Sequence, residues 1–177
     1  MRKLLDSAEF PTALNKLATA ITSAEKEFNN IAFVGIQTRG IPLANRLAKI
    51  VAARGKPVLQ GILDINLYRD DLSLSAEQPI VKETKMEFDL DGKIIYLCDD
   101  VLYTGRTIRA AMDALFDLGR PKAIHLVVLA RRNGRELPIE ASFCALDVNT
   151  KTGDNVKVKF VETDGVDDVT LLEAGEY

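Results

Sequence analysis

The clearest structural signal in this chain is the stretch Ile94-Ile95-Tyr96-Leu97-Cys98-Asp99-Asp100-Val101-Leu102-Tyr103-Thr104-Gly105-Arg106-Thr107. An apolar run ends in two adjacent carboxylates, and a short loop rich in hydroxyl groups follows them. Apolar residues then recur at helical spacing, at Ile108, Ala111, Met112, Leu115 and Leu118. The pattern predicts a buried strand, an acidic edge, a loop and an amphipathic helix, in that order.

This order of elements suggests a site for a phosphorylated sugar. Ligands of open parallel sheets bind beyond the carboxyl ends of the strands, and backbone N–H groups at a helix start bind phosphate. Asp99 and Asp100, expected at a solvent-exposed edge, can accept hydrogen bonds from sugar hydroxyls or bind a hydrated Mg²⁺. The structural alternative is a strand that ends in two acids, followed by a threonine that caps a helix. The complete arrangement favours the ligand site.

Strand and helix patterns alternate along most of the chain. Beyond the stretch above, strands are predicted at residues 31–36, 58–68, 123–129, 142–148 and 156–161, and helices at 10–28 and 43–51. This alternation predicts an α/β fold with a mostly parallel sheet and helices on both faces. Residues 69–91 combine weak periodicity with many charges, which is typical of a functional flap or a hairpin arm. Without linkers or repeats, residues 1–177 are expected to form a single domain.

The composition is that of an ordinary globular domain. Of the 177 residues, 47% are hydrophobic and 28% are charged, and the net charge is −3. We find neither a membrane-length apolar stretch nor an N-terminal signal, and therefore expect a cytoplasmic protein without a membrane partner. The negative charge disfavours indiscriminate binding to polyanions. The acidic tail after Lys159 is predicted to be a solvated face or a frayed end.

The cysteines and the single histidine exclude several chemistries. Cys98 and Cys144 are isolated in sequence and form neither a zinc pattern nor a disulfide framework. Cys98 is expected to be a small buried residue. His125 lies in a predicted strand, where a core or edge position is its default role. One histidine makes histidine-rich metal sites and Ser-His-Asp catalysis improbable.

The segment 94–107 resembles the phosphoribosyl pyrophosphate (PRPP) binding motif of type I phosphoribosyltransferases. With its continuation Ile-Arg-Ala-Ala-Met-Asp-Ala-Leu, it resembles the PyrR family in particular. Members of that family combine uracil phosphoribosyltransferase activity with RNA-binding control of pyrimidine operons. Residues 34–44, 63–72, 117–121 and 135–139 also match, so the likeness is collinear from about Ile31 to Val148.

The resemblance implies a fold and a reaction. The fold is the type I phosphoribosyltransferase fold, a mostly parallel twisted sheet flanked by helices, with a flexible flap at about 69–91 and a small hood from the N-terminal and C-terminal segments. The reaction converts uracil and PRPP to UMP and pyrophosphate with Mg²⁺. Positive charge develops on the ribose and negative charge on the leaving pyrophosphate. Catalysis should therefore rest on positioning and electrostatic stabilisation.

The resemblance also assigns site residues. Asp99 and Asp100 would hold the ribose hydroxyls and lie near the Mg²⁺ that arrives with PRPP. The segment Val101-Leu102-Tyr103 would belong to the nucleotide site, and Thr104, Gly105, Arg106 and Thr107 would hold the 5′-phosphate.

A second loop would receive the pyrophosphate. By the same resemblance it consists of Thr38, Arg39 and Gly40, with Arg39 as a catalytic residue, and related enzymes have a strained or cis peptide between its first two residues. The alternative is a plain strand-to-helix turn. Arg69 would reach the pyrophosphate or belong to the closing flap, or else be a solvated loop arginine.

Base recognition and RNA binding follow from the family as well. Tyr103 stands where purine-using relatives place an aspartate, and a phenol is a poor general base near neutral pH, so a pyrimidine is favoured. Uracil recognition would involve the strand end around Val128, Arg131 and Arg132. Arg135 would contribute to binding of a pyrimidine operon leader RNA. The family also implies a homodimer or homotetramer.

The chain departs from the family pattern at several positions. Arg131-Arg132-Asn133-Gly134 stands where PyrR proteins usually carry Asp-Arg-Gly-His, which reverses a charge beside the expected base pocket. Glu140, Leu146 and Thr19 replace an expected arginine, lysine and histidine, and this loss of cations weakens nucleic-acid binding. Two alternatives therefore stay open: a UMP-dependent regulator with vestigial catalysis, and a phosphoribosyltransferase for a different base.

Overall fold

The structure, a computed structural model, describes residues 1–70 and 83–176. Their elements in chain order are β1 (Arg2–Leu5), α1 (Phe10–Ala24), β2 (Ile31–Ile36), α2 (Gly40–Ala53), β3 (Leu59–Leu63), a 3₁₀ turn (Asn66–Tyr68), β4 (Ile94–Leu102), α3 (Arg106–Leu118), β5 (Ala123–Arg132), β6 (Phe143–Val148), β7 (Asn155–Lys159), α4 (Val161–Asp164) and β8 (Asp168–Leu172).

Five strands form a parallel sheet in the order β3-β2-β4-β5-β6, which we call the large sheet. Its central strands are buried on both faces because helices cover both sides, as parallel sheets require. Phe33, Tyr96 and Cys98 face the core under α1 and α2, whereas Val34 and Leu97 face the core under α3. The predicted α/β class and helix placement are confirmed.

Three antiparallel strands in the order β1-β8-β7 form a second, small sheet. It packs on the α1 and α2 side, where Val156, Val158, Val169 and Leu171 join the core around Phe10. The prediction of a solvated or frayed tail is therefore wrong for β8. Val169 and Leu171 of β8 join the core, and Asp168 and Thr170 between β1 and β7 are buried as well, so packing outweighs the surrounding negative charge.

Several other elements differ from their predicted bounds. The helix predicted at 10–28 ends at Ala24, because Glu25 is in an extended conformation. The helix predicted at 43–51 begins at Gly40, and the strand predicted at 123–129 continues to Arg132. The strand predicted at 58–68 ends at Leu63, because the Asp64 carboxylate accepts the N–H of Asn66 at 3.0 Å and turns the chain into the 3₁₀ turn. The apolar run of β4 continues through both carboxylates to Leu102.

Most of the predicted flap at 69–91 falls on residues 71–82, outside the described residues. Beyond them, Lys85 pairs with Ile62 of β3 in an isolated antiparallel bridge, and Leu90 is buried. Cys98 is buried, as predicted. Within residues 1–70 and 83–176, no helix is both long and apolar enough to cross a membrane.

Candidate active site

Parallel pairing brings three of the predicted site segments to one edge of the large sheet. Gly35 of β2 pairs with Cys98 of β4, so residues 38–40, just beyond β2, lie beside the two carboxylates. On the other side Asp99 pairs with Val128, and Leu102 pairs with Arg131. The expected pyrophosphate loop, the acid pair and the expected base-binding strand end are therefore neighbours.

The loop after β2 is pressed against β4 at Gly40, the first residue of α2. A Cβ atom at this position would overlap the carbonyl oxygen of Cys98 and lie 3.3 Å from Asp99 Cα. Only glycine allows the start of α2 to approach the acid pair this closely. The peptide between Gln37 and Thr38 is cis, so the prediction of an unusual bond at Thr38–Arg39 is wrong by one residue.

Asp99 is buried and Asp100 is half-buried, which corrects the expectation of a solvent-exposed edge. Asp99 is only 7% exposed because β4 extends past it between β2 and β5 while α2 begins directly beside it. Desolvation raises the pKa of Asp99 well above its ordinary value, and the negative charge of Asp100 adds to that rise. Desolvation also raises the pKa of Asp100, opposed by the Val101 N–H and by the charge of Arg39. The pair therefore holds its protons more tightly than exposed carboxyls do.

Arg39 lies at the N-terminal end of α2 and forms a two-point ion pair with Asp164 of α4. Its Nε donates to Oδ2 at 3.2 Å and its Nη2 donates to Oδ1 at 2.7 Å. The hydrogen bond that Arg39 donates to Asp164 is the largest influence raising the pKa of Arg39. The sequence reasoning missed Asp164, since it lies 125 residues from Arg39 in an acidic segment.

Arg39 and Asp100 line a cavity of about 550 Å³, which lies within the usual size range of small-molecule sites. Most of the other lining residues belong to the small sheet, and Glu176 follows it. They are Asn155, Val156, Lys157, Val158, Leu172 and Glu176. These residues were also missed. The alternation of β7 was visible in the sequence, but its pairing with β8 and the direction of its faces were not.

The loop expected to hold the 5′-phosphate joins β4 to α3. Gly105 precedes α3 with φ of +93°, a conformation that favours glycine and turns the loop into the helix. Thr104 is anchored from the 135–139 segment, because the N–H groups of Glu136 and Leu137 both donate to its carbonyl oxygen, at 3.0 and 3.1 Å. Thr107 is exposed at the start of the helix. The loop thus presents amides and hydroxyls at a helix N-terminus.

Arg106 and Arg69 were both expected to contact phosphate groups. The half-exposed guanidinium of Arg106 pairs with Asp70 at 2.7 Å and Glu136 at 2.6 Å. Arg69 is exposed and extended, directly after the 3₁₀ turn. The Asp70–Arg106 pair therefore ties the segment that carries Arg69 to the phosphate loop.

Carboxylates suited to Mg²⁺ are present, although a complete protein ligand set is not. In the part of the chain that the structure describes, no group of three or more His, Cys, Asp or Glu side chains is arranged to hold a metal. Mg²⁺ commonly keeps several waters and takes one or two carboxylates together with substrate phosphates. Asp99 and Asp100 therefore fit a metal that arrives with a phosphorylated ligand.

Comparisons with known proteins agree with this geometry. Residues 2–163 match the model of the phosphoribosyl transferase domain family. The bifunctional protein PyrR of Thermus aquaticus is 53% identical over 172 residues, covering 97% of this chain and 95% of that protein. Its counterpart in Deinococcus radiodurans is 52% identical over 171 residues, covering 96% and 93%. The chain belongs to the PyrR family. As a member it is a phosphoribosyltransferase, and the resemblance found in the sequence is confirmed.

Solved structures support the fold assigned to this PyrR protein. Hypoxanthine phosphoribosyltransferase of Trypanosoma cruzi has a TM-score of 0.74 at 17% identity, covering 97% of this chain and 95% of that one. The Staphylococcus aureus enzyme has a TM-score of 0.73 at 18% identity, covering 99% and 94%. The type I phosphoribosyltransferase fold is therefore confirmed, whereas the choice of base is not addressed at such low identity.

In this PyrR protein the expected base-binding residues have partners within the chain. The side chain of Val128 is fully buried in the core under α3. Arg131 pairs with Asp147 and, at 3.7 Å, with Glu140. Arg132 is buried, with its guanidinium carbon 4.0 Å from the centroid of the Tyr103 ring. Arg132 thus stacks on the ring of Tyr103, the residue that stands where purine-using relatives place an aspartate.

Arg135, the expected RNA contact, is hydrogen-bonded to the backbone of the same loop. Its Nη1 donates to the carbonyl oxygen of Tyr103, and its Nε donates to Glu140 at 3.1 Å. Glu140 therefore neutralises charge on both Arg131 and Arg135, which are half-buried near the strand end.

Proposed function

We propose that the protein is a Mg²⁺-dependent uracil phosphoribosyltransferase of the PyrR type, which converts uracil and PRPP to UMP and pyrophosphate. The observation that carries the proposal is the cavity that Asp100 and Arg39 share. It brings a carboxylate of the acid pair and a guanidinium into the lining of one site. The identity of more than 50% to proteins named bifunctional protein PyrR supports the choice of reaction.

The charges in this cavity suit the charges that develop in the reaction. Asp99 and Asp100 lie where a ribose would bind, and their negative charge stabilises the positive charge that forms on its ring. Arg39 faces the departing pyrophosphate, whose negative charge increases as the bond breaks. Amides at the start of α3 bind the 5′-phosphate and fix the sugar between the two. Mg²⁺ bound to the pyrophosphate would neutralise part of the leaving group's charge.

A pyrimidine is the base that the loop chemistry supports. Tyr103 offers no carboxylate for proton transfer to a purine, and Arg132 stacks against its ring. The charge reversal at Arg131 is the feature that would favour a different base. Because Asp147 and Glu140 pair with Arg131, the reversal is largely compensated within the chain.

Base choice is tested with a panel of nucleobases. With PRPP and Mg²⁺, uracil is expected to give UMP with kcat/KM about 10²-fold or more above that for hypoxanthine or guanine. Product is identified by chromatography and pyrophosphate is measured by a coupled assay. If PRPP is consumed with a purine but not with uracil, the substrate is that purine and the proposed base is wrong. If no base consumes PRPP, the regulator with vestigial catalysis becomes the leading function.

RNA-binding regulation is the second candidate function, because the PyrR relatives are named bifunctional. In this chain Arg131 and Arg135, the cations that would contact RNA phosphates, already form ion pairs with Glu140 and Asp147. We therefore propose that any binding of leader RNA is weak. Glu140→Gln is expected to raise RNA affinity about tenfold at low salt and to steepen its salt dependence by roughly one counterion. Filter binding to a pyrimidine leader hairpin, with and without UMP, measures both.

Glu83→Gln is the matched control, because it removes the same charge from the exposed Glu83–Lys85 pair away from this cluster. Equal gains in the two variants would indicate a net-charge effect and would argue against an RNA surface at Arg131 and Arg135. A homodimer or homotetramer remains a prediction from the family.

A further inference from the structure

Asp164 is held rigidly at the end of α4. Besides the two contacts from Arg39, its carboxylate accepts the N–H of Phe160 at 3.1 Å and the hydroxyl of Thr163 at 2.6 Å. The side chain of Asp164 is only 15% exposed. Its hydrogen bond from Arg39 holds the pKa of this carboxyl far below its ordinary range. The carboxylate is therefore a fixed, fully ionised acceptor.

The turn that carries Asp164 is anchored to α2 by a second arginine. Arg46 pairs with Glu162 at 2.5 Å and with Asp167 at 2.8 Å. Its guanidinium carbon lies 5.5 Å from the ring centroid of Phe10 and 5.4 Å from that of Phe160. These contacts fix α4 relative to the helix whose first turn begins at the expected pyrophosphate loop. Asp164 and the backbone of that loop thus belong to one rigid unit.

Asp164 contacts only one edge of the Arg39 guanidinium. Nε and Nη2 donate to it, whereas Nη1 has no hydrogen-bond partner among residues 1–70 and 83–176. A guanidinium held by two parallel bonds has a fixed plane and still carries donors on its other edge. Arg39 lines the cavity together with Asp100, so the free edge is available to an anion bound there.

We propose that Asp164 is a positioning residue that orients Arg39 toward the pyrophosphate group of PRPP. The proposal rests on the function proposed above. Without Asp164 the long side chain of Arg39 would sample many rotamers, and its ordering would have to occur when PRPP binds. The affinity for PRPP and for pyrophosphate would fall, whereas the affinity for the base would not.

Asp164→Asn tests this role, with Glu162→Gln as the matched control on the same turn. Asn keeps the shape of the side chain but loses the charged two-point contact. We expect KM for PRPP to rise about tenfold and kcat to fall, with KM for uracil unchanged. Glu162→Gln breaks one contact of Arg46 instead. Arg46 keeps its ion pair with Asp167 and still holds the turn, so both KM values should stay unchanged. Identical kinetics in the two variants would overturn the proposal.

Two further measurements separate this inference from the proposed function. In the Arg39→Ala background, Asp164→Asn should cause little further rise in KM for PRPP, because the side chain that Asp164 orients is already absent. Calorimetric titration of the Mg²⁺-pyrophosphate complex, which needs no turnover, should show the same tenfold weakening in Asp164→Asn. If wild-type protein forms no nucleotide, the proposed function fails, and this titration still decides the role of Asp164.

Should Asp164→Asn fail to fold, Arg39→Lys provides the second variant, since it keeps the charge but cannot form the two-point contact. It must show the same rise in KM for PRPP and the same weakening of pyrophosphate binding. Wild-type values in Arg39→Lys would refute positioning.

Discussion

Asp99→Asn is expected to abolish nucleotide synthesis and at the same time to raise the melting temperature of the protein. The loss of activity follows from removing negative charge next to the forming ribose cation, and should be about 10²–10³-fold in kcat/KM. The gain in stability follows from burial. Desolvation and Asp100 make the ionised form of Asp99 unfavourable in the folded protein.

The direction of the pH effect follows from linkage. Because the folded state binds this proton more tightly than the unfolded state does, Asp99 lowers the free energy of unfolding as pH rises above the ordinary carboxyl pKa, and continues to do so up to its raised folded pKa. Above that value the cost is constant. The neutral amide removes the cost, so we expect a higher free energy of unfolding than in the wild type at pH 8 and little difference at pH 4. For a chain of this length, each 1 kcal/mol of added stability raises the melting temperature by about 2–4 °C.

Thermal melts at both pH values, without Mg²⁺ or ligand, measure the difference. Asp113→Asn is the control, since this carboxylate pairs with Arg109 on an exposed face of α3. It should change stability by less than about 0.5 kcal/mol and leave activity unchanged. A lower melting temperature for Asp99→Asn at pH 8 would contradict the assigned desolvation, and retained nucleotide synthesis would contradict its catalytic role.

Gly40→Ala is expected to be the most damaging single methyl group that can be added near the site. The new Cβ would overlap the backbone of Cys98, which cannot move without displacing Asp99. Relief of the overlap must therefore separate the start of α2 from β4. We expect a loss of roughly 3 kcal/mol in the free energy of unfolding and a rise of about 10²-fold in KM for PRPP. Urea titration and initial rates at varied PRPP concentration measure the two effects.

Gly55→Ala, just beyond the other end of α2, separates the overlap from the general effect of replacing glycine. Gly55 has φ of +74° and no atom within 4 Å of a built Cβ. Its replacement should cost about 1 kcal/mol through backbone conformation alone and should leave the kinetics unchanged. If Gly40→Ala behaves like this control, the close approach of α2 to the acid pair has no functional consequence.

The residues around Asp99 and Asp100 could be predicted because their signals are local. An apolar run, two acids and a helical repeat lie within 25 residues, and parallel strands place their carboxyl ends together regardless of other details. The burial of Asp99 could not be predicted in the same way. It depends on the Gly40 backbone meeting β4 and on the length of β4 beyond the apolar run, both set by tertiary packing.

The small sheet was difficult to predict for a related reason. Residues of β1 and β8 pair across more than 160 positions of sequence, and neither strand is apolar enough to be recognised alone. The charges near β8 indicated solvation, whereas in the structure Glu162, Asp164 and Asp167 have arginine partners on α2. The composition of a segment reveals its charge but not which residues compensate it.

The strand order of the small sheet has a consequence for synthesis on the ribosome. All five strands of the large sheet have been translated once Val148 is made, so the floor of the cavity can assemble while translation continues. Among the strands that the structure describes, β1 is translated before the large sheet, yet it pairs with β8, which is translated after it. The cavity wall to which β7 and β8 contribute is consequently added only after all five strands of the large sheet have been translated.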